Sequence, residues 1–108
     1  MSDRKPWISL QRYAKENYEA YQILKENTKD DFHLLNIKYY LLCRSLELSF
    51  KSLLVFNNIT SFDDLKHKYG HDLVKLVGDC EPIGTFTLNK TELTIVKVLN
   101  SYYIDKQF

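Results

Sequence analysis

The chain has 108 residues, 44% hydrophobic and 27% charged, a balance that suits one globular domain and excludes global disorder. Fifteen Lys and Arg against 14 Asp and Glu give a formal charge of +1, so no global field draws the protein to nucleic acid or anionic lipid and any polyanion site must be a local patch. No apolar run approaches the roughly 18 residues of a membrane span. The opening stretch, Met1 to Trp7, lacks the apolar segment of a secretory signal, so a cytoplasmic protein with no membrane partner and with Cys43 and Cys80 as reduced thiols is expected.

Only three glycines and two prolines interrupt the chain, which favours long helices over many short strands. The first helix is expected to begin near Pro6, where the missing N–H needs no partner, and to run through "WISLQRYAKENYEAYQILKEN". Trp7, Leu10, Ala14, Tyr21 and Leu24 recur at helical spacing and form its apolar side. The polar break Asn27 to Asp31 ends it and supplies a cap for the next helix.

The second helix is expected over "DFHLLNIKYYLLCRSLELSFKSLLVFNN". Leu35, Tyr39, Leu42, Leu46, Leu53 and Phe56 lie on one stripe, widened by Leu34, Leu41, Leu48 and Val55. A helix apolar over so much of its girth belongs at the centre of a bundle. Asn57-Asn58 should end it, since Asn tolerates the left-handed conformation beyond a helix C-terminus.

Ser61 and Asp64 then resemble a capping box opening a short helix that stops at Gly70. A second short helix begins at His71 or Asp72, with Leu73, Leu76 and Val77 on one face. Pro82 and Gly84 break the pattern. "GTFTLN" could be a short extended piece, but no second strand candidate exists to pair with it. Asn89 and Glu92 start a last helix whose inner side carries Leu93, Val96, Leu99 and Tyr103. The fold class expected is all-α: a bundle of four or five helices, three long and one or two short, in a single domain over 1–108.

One line of the second helix is polar. Arg44, Glu47 and Lys51 are spaced i, i+3, i+7 and occupy a narrow sector that Ile37 and Tyr40 extend. Either the line is a solvated edge with one weak i, i+4 ion pair, or it faces a neighbouring helix, a groove or a second subunit, where charges must be paired.

"LLCRSLELSFKSLLVFNN", followed after a short helix by "KHKYGHDLVKLV", resembles the HEPN superfamily (higher eukaryotes and prokaryotes nucleotide-binding domains). The resemblance rests on an apolar helix with Glu47 and Lys51 four apart, a short spacer, and Gly70-His71-Asp72-Leu73 opening another helix. "LNSYYIDKQF" is similar to the family's last helix, in which aromatics precede a basic residue. Residues 30 to 108 are covered; the first helix fits in length only. The resemblance implies a small all-α bundle, a homodimer, and a nucleotide, RNA or protein ligand, with a nucleotidyltransferase or antitoxin as partner in a toxin–antitoxin or defence system. It also implies, for active members, metal-independent RNA cleavage by an arginine followed after four to six residues by a histidine. The arginines of this chain, Arg4, Arg12 and Arg44, precede no histidine at that distance. Lys66 precedes His71 with four residues between, but lysine offers a point charge where arginine offers a planar fork.

The candidate ligand-binding residues are therefore Arg44, Glu47, Lys51, His67 and His71, and a variant ribonuclease would use His71 as base with Lys66 or Arg44 on the phosphate. His71 also has a structural reading, in which its ring bonds the backbone or a neighbour such as Glu47. His67 and His71 share the i, i+4 spacing of zinc sites. Gly70 breaks the helix between them, however, and Lys66 and Lys68 would repel a dication, so neither metal nor cofactor is expected. The third reading is an adaptor with no small ligand. Eight tyrosines are many for this length; Tyr39-Tyr40 and Tyr102-Tyr103 cannot both face a core, so some must be exposed or lie in a dimer contact.

Overall fold

A computed structural model describes residues 6–85 and 87–105, and Phe86 of the "GTFTLN" stretch and the residues after Asp105, including the basic end of the last-helix resemblance, lie outside them. Among the described residues five α-helices follow one another: α1 (Pro6–Asn27), α2 (Leu35–Phe56), α3 (Leu65–Tyr69), α4 (Leu73–Cys80) and α5 (Lys90–Tyr103), with single 3-10 turns at Phe62–Asp64 and Glu81–Ile83. No strand occurs among the described residues. None of their helices is long and apolar enough to cross a membrane.

The second helix starts four residues later than its sequence pattern suggests. Asp30 takes the backbone N–H groups of Phe32 and His33 onto its side-chain oxygen, both at 2.9 Å, and so closes a turn of its own instead of capping α2. Leu34, at φ 56°, then enters α2 from the left-handed region without any side-chain cap. The other end matches its sequence signal. Asn58 sits at φ 57°, its N–H bonds to Val55 O, and the Ile59 N–H reaches back to Leu54 O, the pair of bonds that closes a Schellman motif. Asn89 and Glu92 complete a full capping box on α5. At Ser61 the box is altered: Asp64 is too short to reach back to the backbone, and its carboxylate accepts the Ser61 hydroxyl instead.

α2 lies at the centre, with α1 antiparallel on one side and α4 and α5 on the other. Its α1 face is not the leucine stripe. Lys38, Ser45 and Ser52, seven apart, are buried there. Ser45 Oγ donates to Ala14 O at 2.9 Å and Ser52 Oγ to Trp7 O at 2.8 Å. Small side chains let the two backbones approach, and the hydroxyls satisfy themselves on the neighbouring helix. The opposite face buries Cys43, Glu47, Phe50 and Leu54 against α4 and α5. Tyr39 and Phe56, expected on the core stripe, are exposed, and Leu42, Leu46 and Leu53 are half-buried.

Cys43 and Cys80 are both fully buried. Burial pushes each thiol up to about 12, with Glu47 adding to the effect on Cys43 and Asp79 to that on Cys80. Neither thiol is therefore expected to react with a disulfide reagent in the folded protein at neutral pH. Both should react in denaturant, and titration with Ellman's reagent in each condition checks this.

Candidate functional site

Glu47 has no exposed surface, yet it carries a charge. A buried carboxylate is tolerated only when several donors replace its water, and four side chains do so here. Lys51, one turn further along α2, donates from Nζ to Oε2 at 2.6 Å. The Tyr103 hydroxyl, from α5, donates to Oε1. His71, from the corner before α4, brings Nδ1 to Oε1 at 3.0 Å. Arg44 reaches both oxygens from Nη1 at 3.4 and 3.5 Å, long for a charge-assisted bond.

The backbone brings these groups together for local reasons. Arg44, Glu47 and Lys51 share one sector of α2 because three and four residues make about one turn. Gly70 turns the chain at φ 54°, ψ −121°, a conformation that favours glycine, and so ends α3. Its carbonyl accepts a second bond from Lys51 Nζ at 2.8 Å. Asp72 then caps α4 by accepting the Lys75 N–H, and Asn100 of α5 bridges Asp72 and the Leu73 N–H. These bonds hold His71 against α2, and α5 is pinned so that Tyr103 points inward.

Burial alone would raise the Glu47 carboxyl, but the bonds from Lys51, Tyr103 and His71 outweigh it and hold the carboxyl below its ordinary value. Burial, followed by the bond to Glu47, pushes the Tyr103 hydroxyl far above the usual phenol range, so it stays a donor. The sign of the pH effect follows. The stability that ionised Glu47 contributes is complete above the unfolded value near 4.5 and is lost as pH falls through the depressed folded value. The urea midpoint should therefore drop more steeply below pH about 4.5 in the wild type than in a Glu47→Gln variant, which has no such proton to bind.

The polar line is thus buried at Glu47 and Lys51 and reaches the surface at Arg44. The Arg44 side chain is 35% exposed and the His71 side chain 40%. An ionised carboxylate can only accept, so His71 Nδ1 carries the proton and Nε2 is the ring nitrogen left for another partner. Two cations, Arg44 and Lys51, against one anion leave a unit of positive charge in the cluster, while the nearby Asp72 carboxylate is held by the α4 N-terminus and Asn100.

Arg44, Glu47, Lys51 and His71 are brought together. Lys66 and His67 are exposed on α3, and no side-chain hydrogen bond or ion pair joins them to the cluster. Sequence reasoning placed Tyr103 on an apolar stripe and missed its hydroxyl as the fourth donor. The signal was present: a tyrosine on the buried side of a helix needs a partner for its O–H. No family model, curated protein or solved structure matches the chain.

Proposed function

We propose that the chain is a HEPN-like binding module, acting as a homodimer, that holds the phosphate of a nucleotide or of RNA at Arg44, with the protonated form of His71 donating to it from Nε2–H. The observation that carries this reading is the imbalance of the cluster. One buried carboxylate fixes Lys51, His71 and Tyr103 firmly but holds Arg44 only at 3.4 and 3.5 Å, and the guanidinium, which also interacts with Tyr103, keeps an exposed side toward a ligand at the surface. Lys66, on the element leading into the same corner, adds positive charge to the approach.

Titration with a labelled RNA and with nucleotides at low and high salt tests the reading. Saturable, salt-sensitive binding that Arg44→Ala weakens about tenfold or more, with the helical signal unchanged, supports it. No saturable binding at low salt would leave the adaptor reading.

A specific feature also favours a second reading, metal-independent ribonuclease. Glu47 orients His71 with Nε2 available to accept a proton from a ribose 2′-hydroxyl, and Arg44 rather than Lys66 stands beside it to stabilise the phosphate. RNA cleavage that persists in EDTA and disappears in His71→Ala establishes this activity. Absence of cleavage at high protein concentration removes it.

A further inference from the structure

Tyr40 lies one turn before Arg44 on α2, and the sequence line Ile37, Tyr40, Arg44 emerges at the surface where Glu47 and Lys51 turn inward. Tyr40 is 47% exposed, although its ring neighbours that of the buried Tyr103. The Tyr40 ring stands 6.1 Å from that of Tyr103 with the planes tilted by 56°, and the Tyr103 ring stands 5.5 Å from the His71 imidazole at 67°. Tyr103 is buried, so the two accessible rings, Tyr40 and His71, flank it as walls. Arg44, one turn along α2 from Tyr40, interacts electrostatically with both tyrosines. The surface thus offers a half-exposed aromatic ring braced from below and a guanidinium one turn away.

Resting on the reading above, we infer that the site takes an unpaired nucleotide, with its base stacked on Tyr40 and its phosphate on Arg44 and on the Nε2–H of protonated His71. The chemistry separates single strands from duplexes. A base in an A-form helix is already stacked on its neighbours and offers a protein mainly phosphates and 2′-hydroxyls, whereas an unpaired base has a free π-face. An aromatic platform accepts any base, so the specificity is for strandedness and not for sequence. Ile37, half-exposed one turn before Tyr40, extends the platform with apolar surface.

Fluorescence anisotropy with three ligands tests this: a labelled single-stranded oligoadenylate, a blunt RNA hairpin of equal charge whose loop is a non-nucleotide linker, and adenosine monophosphate as a competitor. Wild type, Tyr40→Ala, Tyr40→Phe and Arg44→Ala are compared, each with its helical content checked by circular dichroism. The single strand is expected to bind more tightly than the hairpin. Tyr40→Ala should weaken the single strand roughly five- to 150-fold, the range of one lost base stack, and leave the hairpin unchanged. Tyr40→Phe should retain the single-strand affinity, because it keeps the ring. Competition by the monophosphate assigns the site to a free nucleotide, and failure of that competition while the strand still binds assigns it to RNA. Arg44→Ala weakening the single strand while Tyr40→Ala does not would overturn the stacking role and leave phosphate binding standing. No binding of any ligand would overturn both.

Discussion

Replacing Glu47 by Gln is expected to cost about 3–5 kcal/mol of folding stability, the range found when one partner of a buried ion pair is removed. The side chain is isosteric, so no cavity forms, and the loss comes from charge. Lys51, with only 10% of its side chain exposed, would keep a buried ammonium facing an amide. The Gln NH₂ group would also oppose whichever donor it meets, Tyr103 and His71 on one oxygen or Lys51 on the other. The damage should spread across the molecule, because this carboxylate joins α2, the Gly70–His71 corner and α5. Chemical denaturation gives the number. A Glu47→Leu, Lys51→Leu double variant should recover part of the loss, since apolar groups of similar volume often substitute for a buried pair. A single-variant loss below about 1 kcal/mol would mean that the carboxylate is hydrated in solution.

The second large effect distinguishes neighbouring leucines. Leu54→Ala is expected to cost about 2–5 kcal/mol, whereas Leu53→Ala should cost less than half as much. Leu54 has no exposed surface and packs within the core, while Leu53 is half-buried and lines an open cleft of about 430 Å³ with Trp7, Gln11 and Phe56. A site that is partly wet loses less transfer free energy on truncation and leaves a smaller cavity. The two urea midpoints, measured side by side, decide the orientation of α2. Equal losses, or a larger loss at Leu53, would rotate the helix toward its leucine stripe.

That comparison also shows where sequence patterning reached its limit. The existence of the helices was legible, because Pro, Gly, Asn and capping residues punctuate the chain clearly: Asn58 in its left-handed C-terminal position and the Asn89–Glu92 box formed as their residue types suggest. The orientation of α2 was not. Hydrophobicity counts leucine as core and serine or glutamate as surface. Here Ser45 and Ser52 are buried because small residues allow α1 to approach, and Glu47 is buried because four donors from three parts of the fold converge on it. The convergence depends on α5 returning to α2 from more than fifty residues away, which no local pattern encodes. The start of α2 was misplaced for a similar reason: Asp30 bonds within its own turn, and its side chain gives no sign of which N–H groups it will take. Within the candidate site, the spacing of Arg44, Glu47 and Lys51 and the Gly70–His71 corner were readable. Tyr103 and the bracing Asp72–Asn100 pair were not.

The most direct test of the site is the nitrogen-15 spectrum of the His71 imidazole, assigned by its absence in His71→Ala, recorded near neutral pH before and after addition of single-stranded RNA. A protonated Nδ1 in the free protein, with the Nε2 resonance shifting as RNA saturates, is the expected result. A bare Nδ1, or an Nε2 resonance indifferent to saturating RNA, would contradict a carboxylate-held histidine that presents its outer nitrogen to a ligand.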